Sequence, residues 1–150
     1  GNYWGTDASL ALMRRGWGAE LTPDLQARLP LSQLIEDRDF AFPGLPPDID
    51  IAIAFGVFTH LPATALRPAL HNLRLRLPGL RKLLLTVFLA PEDHQGPLRQ
   101  PDGVVTHADR PPYHRTAGAV EADARAAGFS PDWRNTRLPR GQRLCVLVPQ

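Results

Sequence analysis

Cysteine, methionine and lysine each occur only once in 150 residues. With Cys145 alone, no internal disulfide forms and no cysteine-built metal site is available, which fits a reducing cytoplasm. Long hydrophobic runs are also absent. The longest, Leu83 to Ala90, is far below the roughly 18 residues that span a bilayer, and Gly1 to Arg15 lacks the pattern of a signal peptide. Neither a membrane partner nor export is expected. Nor does either charge dominate: 17 Lys and Arg against 15 Asp and Glu leave a dispersed +2, which offers no nucleic-acid surface. The arginine-heavy cation usage, with Lys82 as the only lysine, speaks for a GC-rich genome rather than for a partner.

What is present reads as a single domain over residues 1–150 in which strands alternate with helices. Asn2 to Thr6 is a short extended run, followed by Asp7 and a helix over Ser9 to Arg15 closed by Gly16. Thr22-Pro23-Asp24 starts a short helix that Pro30 ends, and Gln33 to Phe40 suits a second strand. Ile49 to Phe55 is the strongest strand, apolar and β-branched as if buried on both faces of a parallel sheet. Leu66, Leu70, Leu73 and Leu77 then share one helix face, with Pro68 marking a separate or kinked first turn and Pro78-Gly79 the end. Leu83 to Leu89 is another buried strand. Thr116 to Ala127 suits a helix, and Trp133 to Leu138 and Arg143 to Val148 suit two closing strands. Ala90 to Pro112 is long, irregular and rich in proline and charge, the kind of segment that in a compact domain is functional or disordered.

Three phrases in this order carry a resemblance. They are Tyr3-Trp4-Gly5-Thr6-Asp7-Ala8-Ser9; the run from Asp50 to Phe55 continuing through Gly56 into Val57-Phe58-Thr59-His60-Leu61-Pro62; and Pro78-Gly79 before the strand Leu83 to Leu89. Together with Pro112-Tyr113-His114, Ala127-Gly128-Phe129 and Gly141-Gln142-Arg143, they resemble the class I S-adenosylmethionine-dependent methyltransferase family over nearly the whole chain. The resemblance begins at that family's second strand. Its first strand and glycine-rich cofactor turn have no counterpart in this numbering, and Gly16-Trp17-Gly18 is no substitute because it follows a helix. The implied fold is α/β, a Rossmann-like sheet, mostly parallel with an antiparallel C-terminal strand, that lacks the first strand.

That resemblance implies S-adenosylmethionine as cofactor, with Asp7 accepting hydrogen bonds from the ribose hydroxyls, Asp37 and Arg38 near adenine, and Phe55 and Gly56 at the crevice mouth. Each has a plainer reading beside it. Asp7 would equally cap a helix in competition with Ser9, Asp37 and Arg38 would belong to a solvated loop, and Phe55 would be core. His60 is the candidate general base, since an unperturbed imidazole titrates near pH 6.5, or else a structural hydrogen-bond partner. Tyr113 and His114 would line an acceptor pocket beside the variable segment 90–112, or pin that loop. His94 and His107 lie in the same segment without acidic partners at metal-ligand spacing, so no metal is expected.

The leading function is therefore methyl transfer to a small-molecule acceptor as part of a complete methyltransferase domain, with this chain inactive by itself. The alternative is a truncated or degenerate methyltransferase fold serving as a non-enzymatic interaction module. A nicotinamide-dependent Rossmann enzyme fits Asp7 but neither the His60 phrase nor the two closing strands. In this family the first strand lies between the second and fourth. Its absence implies that those two close together, that an upstream segment or a second copy completes the sheet, or that the free edges aggregate.

Overall fold

The computed structural model describes residues 2–150, with the side chain of Arg137 left aside. It divides into two compact units, residues 1–46 and 47–150. In the first unit, β1 (Gly5–Asp7) leads through α1 (Leu10–Glu20) and α2 (Pro23–Arg28) to β2 (Leu34–Glu36), which pairs parallel with β1. Ser9 is the N-cap of α1, its hydroxyl accepting from the Leu12 amide at 3.3 Å, a contact that stabilises a helix by about 1 kcal/mol.

Helix α1 corrects the expectation that Gly16 closes it. It runs on through Gly16 and Gly18 to Glu20, although glycine within a helix costs about 1 kcal/mol relative to alanine. The compensation is tertiary within the unit. The Trp17 indole donates to the Leu29 carbonyl at 2.6 Å, and the Gln26 amide donates to the carbonyls of Trp17 and Leu21 at 3.0 and 3.2 Å, holding the end of the helix to α2. The second strand is also shorter than expected. It stops at Glu36, because the Asp37 carboxylate turns the chain by accepting from the amides of Ala41 and Phe42 at 3.0 and 2.9 Å.

In the second unit, β3 (Ile51–Ala54) pairs parallel with β4 (Lys82–Ala90) across the crossover helix α3 (Leu66–Arg76). A separate 3-10 turn over Ala63–Ala65 precedes α3, in keeping with Pro68 falling in what would be its first turn. The expected leucine face is realised: Leu66, Leu70, Leu73 and Leu77 are all buried, each contributing about 1.5–3 kcal/mol of apolar burial. A short hairpin of β5 (Leu98–Arg99) and β6 (Val105–Thr106) lies within the irregular segment. After it, β7 (His114–Thr116) pairs parallel with the end of β4. Helix α4 (Ala117–Ala126), capped by Thr116, leads to β8 (Phe129–Arg137) and β9 (Arg143–Pro149).

Strand β9 inserts antiparallel between β4 and β8, so the sheet order is β3-β4-β9-β8 with β7 on the far end of β4. Strand β8 starts four residues earlier than expected, directly after Gly128 at φ 78°. It tolerates Pro131 because it pairs on one side only, and an edge strand can leave that missing N–H outward.

Two expectations need correction. The four strands anticipated as one parallel row fall into two sheets, β1 with β2 and β3 with β4, each pair joined by its own helical crossover. Strand β3 is also not buried on both faces. Ile51 and Ile53 are 51% and 65% exposed, whereas Ala52 and Ala54, which point to the opposite face, are half-buried.

Candidate functional site

Parallel strands open their ligand crevice at their carboxyl ends, and the end of β3 is built with unusual care. Gly56 sits at φ 71°, a left-handed backbone that residues bearing a Cβ adopt at a cost of about 1 kcal/mol or more. No atom lies within 4 Å of where its Cβ would be, so the site demands glycine for conformation and leaves open space beside the turn. Its amide donates to Thr86 Oγ1 at 2.8 Å, and Thr86 donates in turn to Gln142 Oε1 at 2.6 Å. The Gly56 carbonyl accepts from Thr59 Oγ1 at 2.6 Å. Phe55, immediately before, is 52% exposed, which removes the plain core reading for its ring.

Thr86 and Gln142 were not among the expected site residues. The signal for Thr86 was a lone hydroxyl in the apolar run of β4, where a side chain only 1% exposed must find partners. Gln142 had no signal, because only the packing of β9 against β4 brings residue 142 to residue 86.

The turn after Gly56 buries Phe58 and Thr59 and leaves His60 exposed, its amide donating to the Val57 carbonyl at 3.1 Å. Two residues of the distant β7 region hold this turn. The Tyr113 amide donates to the Thr59 carbonyl at 2.7 Å, and the Arg115 guanidinium donates to the carbonyls of Leu61 and Pro62 at 3.0 and 2.8 Å. Arg115 is only 6% exposed, and burial draws its pKa down against the favourable fields of Asp123 and Tyr113. Its Nε has no hydrogen-bond partner. A buried cation held by carbonyl oxygens is a strong tether, since losing either side strands a charge.

His114 lies between those two tethers and is 7% exposed. Its Nδ1 is 3.0 Å from Thr106 Oγ1, which also accepts from Gln100 Nε2 at 3.0 Å and lies 3.2 Å from the Leu98 carbonyl. The Thr106 hydroxyl has one hydrogen to give, to the Leu98 carbonyl or to His114 Nδ1, and the tautomer of His114 follows from that choice. Gln100 Nε2 also donates to the Leu89 carbonyl at 3.2 Å. The His94 ring meets His114 edge-on at 5.6 Å between centroids. Burial first, and then the nearby His94, push the His114 pKa below its ordinary value, with His107 adding to the effect and a hydrogen bond to the Thr106 backbone opposing it. The Tyr113 amide and the His114 ring thus both take part in the hydrogen bonds of this region.

In the first unit, Asp7 ends β1 with its side chain exposed. Its Oδ1 accepts from the Ser9 amide at 3.0 Å, so Ser9 caps the helix while Asp7 orders the turn before it. Asp37 Oδ1 and Oδ2 both serve backbone amides, and Arg38 makes an exposed 2.7 Å ion pair with Glu36. Among the described residues no group of three His, Cys, Asp or Glu side chains converges as a metal site.

No protein-family model and no curated protein sequence matches the chain. Solved structures do. The pyocyanin biosynthetic protein PhzM aligns with a TM-score of 0.62 at 17% identity, over 98% of this chain and 43% of its own. CalO1, a methyltransferase in calicheamicin biosynthesis in its SAH-bound form, gives 0.63 at 17%, over 97% and 40%. Magnesium protoporphyrin IX methyltransferase from Synechocystis PCC 6803, with bound SAM, gives 0.58 at 17%, over 99% and 60%. The chain thus has the Rossmann-like fold of these methyltransferases and spans 40–60% of their lengths.

Proposed function

From this methyltransferase fold we propose that the chain forms part of an S-adenosylmethionine-dependent methyltransferase, carrying the ribose side of the cofactor site and the wall facing a small-molecule acceptor. The observation that carries this reading is the turn at the end of β3, where a left-handed Gly56, its amide held by Thr86 and with open space beside it, stands next to exposed Phe55 and His60. S-adenosylmethionine supplies an electrophilic methyl group on a sulfonium for in-line displacement by the acceptor. The residues present fit its nucleoside end. Asp7 keeps Oδ2 free for ribose hydroxyls while Oδ1 holds the Ser9 amide. Asp37 orders residues 39–42, and Arg38 beside it is exposed, so these two would approach adenine through the loop.

On the acceptor side, His60 would take the proton of a hydroxyl or amine nucleophile, and Tyr113, His114 and segment 90–112 would shape the pocket. Most of the rate would come from holding donor and acceptor at attack distance. Among the described residues no strand runs into a glycine-rich helix turn. Calorimetric titration with S-adenosylmethionine tests this directly. The 150-residue chain is expected to bind weakly or not at all, whereas a longer product with a strand and glycine-rich turn before Gly1 is expected to bind. In the latter, Asp7→Ala is expected to weaken binding by about 1.5–3 kcal/mol, as for a hydrogen bond to a charged group. Unchanged affinity removes Asp7 from the site, and micromolar binding by the short chain makes the missing loop dispensable.

One observation favours the non-enzymatic alternative. The free edge of β3 presents Ile51, Ile53 and Phe55 to solvent in alternation, a pattern that suits pairing with another strand. Size-exclusion chromatography decides whether a second copy pairs there. A monodisperse monomer at all concentrations counts against it.

A further inference from the structure

We propose that His114 is a proton-operated latch, whose neutral form keeps segment 90–112 closed on the sheet and whose protonation releases that segment together with its hold on the His60 turn. The geometry rests on three connected observations. His114 pairs with Phe88 of β4 and is nearly buried, and its Nδ1 joins Thr106, Gln100 and the carbonyls of Leu98 and Leu89 in one network. That network is what ties the β5–β6 hairpin to β4. Its backbone neighbours Tyr113 and Arg115 are the residues that hold the carbonyls of Thr59, Leu61 and Pro62. The latch and the turn carrying His60 therefore share one short strand.

Protonation places a cation on a ring only 7% exposed, where the side chains at its Nδ1 are the neutral Thr106 and, through it, Gln100. The titratable groups acting on it are His94, after β4, and His107, after β6, both of which repel the charge, while Thr106 and Gln100 are neutral. Arg115 adjoins it in β7 and is itself cationic. No carboxylate contributes to its field. In the opened segment the ring returns to an ordinary value near 6.5, above that of the closed state. The open form thus binds more protons. Closure is fully favoured above pH 6.5 and is lost progressively as pH falls from there through the lowered closed-state value.

Amide hydrogen exchange on the 150-residue chain between pH 7.5 and 5.5, corrected for the intrinsic pH dependence, tests this. Peptides covering 98–107 and 112–116 are expected to lose protection as pH falls, while 83–87 in β4 stays protected. With an open-state value near 6.5, the loss over this pH range is at most about tenfold. His114→Gln, which keeps an amide donor for Thr106, is expected to abolish the pH dependence. His94→Gln is expected to move its midpoint up toward 6.5 by removing one repelling imidazole. Protection that is constant with pH, a loss shared equally by 83–87, or an unchanged dependence in His114→Gln overturns the latch. Should His114→Gln fail to fold, an NMR titration of the wild-type His114 ring replaces it, and a midpoint at or above 6.5 is the refuting result. None of these readouts requires methyl transfer, so the latch stands or falls separately from the proposed activity.

Discussion

Replacing Thr86 with valine removes one hydroxyl and almost no volume, which makes it a clean probe of how the turn after β3 is held. Two groups lose a partner: the Gly56 amide at 2.8 Å and Gln142 Oε1 at 2.6 Å. A buried donor left unsatisfied costs about 1–3 kcal/mol. Gln142 is only half-buried and can turn its amide toward water, so its share is small. The expected loss is about 2 kcal/mol, measured as a fall in the urea midpoint at unchanged slope. Thr86→Ser keeps the hydroxyl and loses one methyl group, for which about 1 kcal/mol is expected. The ranking of valine below serine is the decisive point, because a pure packing account predicts the reverse. A double-mutant cycle with Gln142→Leu should show a coupling of at least about 0.5 kcal/mol. If Thr86→Val costs under about 0.5 kcal/mol and the Gly56 amide remains protected from exchange, the hydroxyl is not what holds the turn.

Cys145 is fully buried in β9, and burial pushes its thiol up to about 11, so at pH 8 it should resist a disulfide reagent in the native chain and react promptly once unfolded in guanidinium. Fast labelling without denaturant would show β9 opening locally. Glu121 accepts from the Trp133 indole at 3.0 Å and from Arg125 at 2.8 Å, and these hydrogen bonds, the indole's first, hold its carboxyl below the ordinary 4.5. Its folded pKa is depressed, so its contribution is present above 4.5 and lost as pH falls through the lowered value. The Trp133 indole resonance should report that transition, and Glu121→Gln should remove it. A transition that persists in the variant assigns it to another carboxylate.

Periodicity was enough for the elements that depend on neighbours in sequence. The four leucines of α3 recur at helical spacing, and burying that face needs only a sheet beside it, so the helix and its inner side were legible. The alternation of strands and helices made the parallel pairing of β3 with β4 legible, while the antiparallel C-terminal strand was anticipated through the family resemblance. Helix α1 was misjudged because two glycines argue locally for a stop, while the energy that overrides them comes from Trp17 and Gln26 reaching across to carbonyls of other turns. The exposure of Ile51 and Ile53 was hidden too: an apolar strand reads the same whether or not a neighbour covers its second face. The Thr86–Gln142 clasp and the His114 network join residues 56 and 8 positions apart through β9 and the β5–β6 hairpin. Such partners are chosen by where folded elements pass one another, and a hydrogen bond acts over about 3 Å of space whatever the distance along the chain. Composition and spacing therefore determined which segments could pack, and tertiary structure alone decided which polar groups would meet.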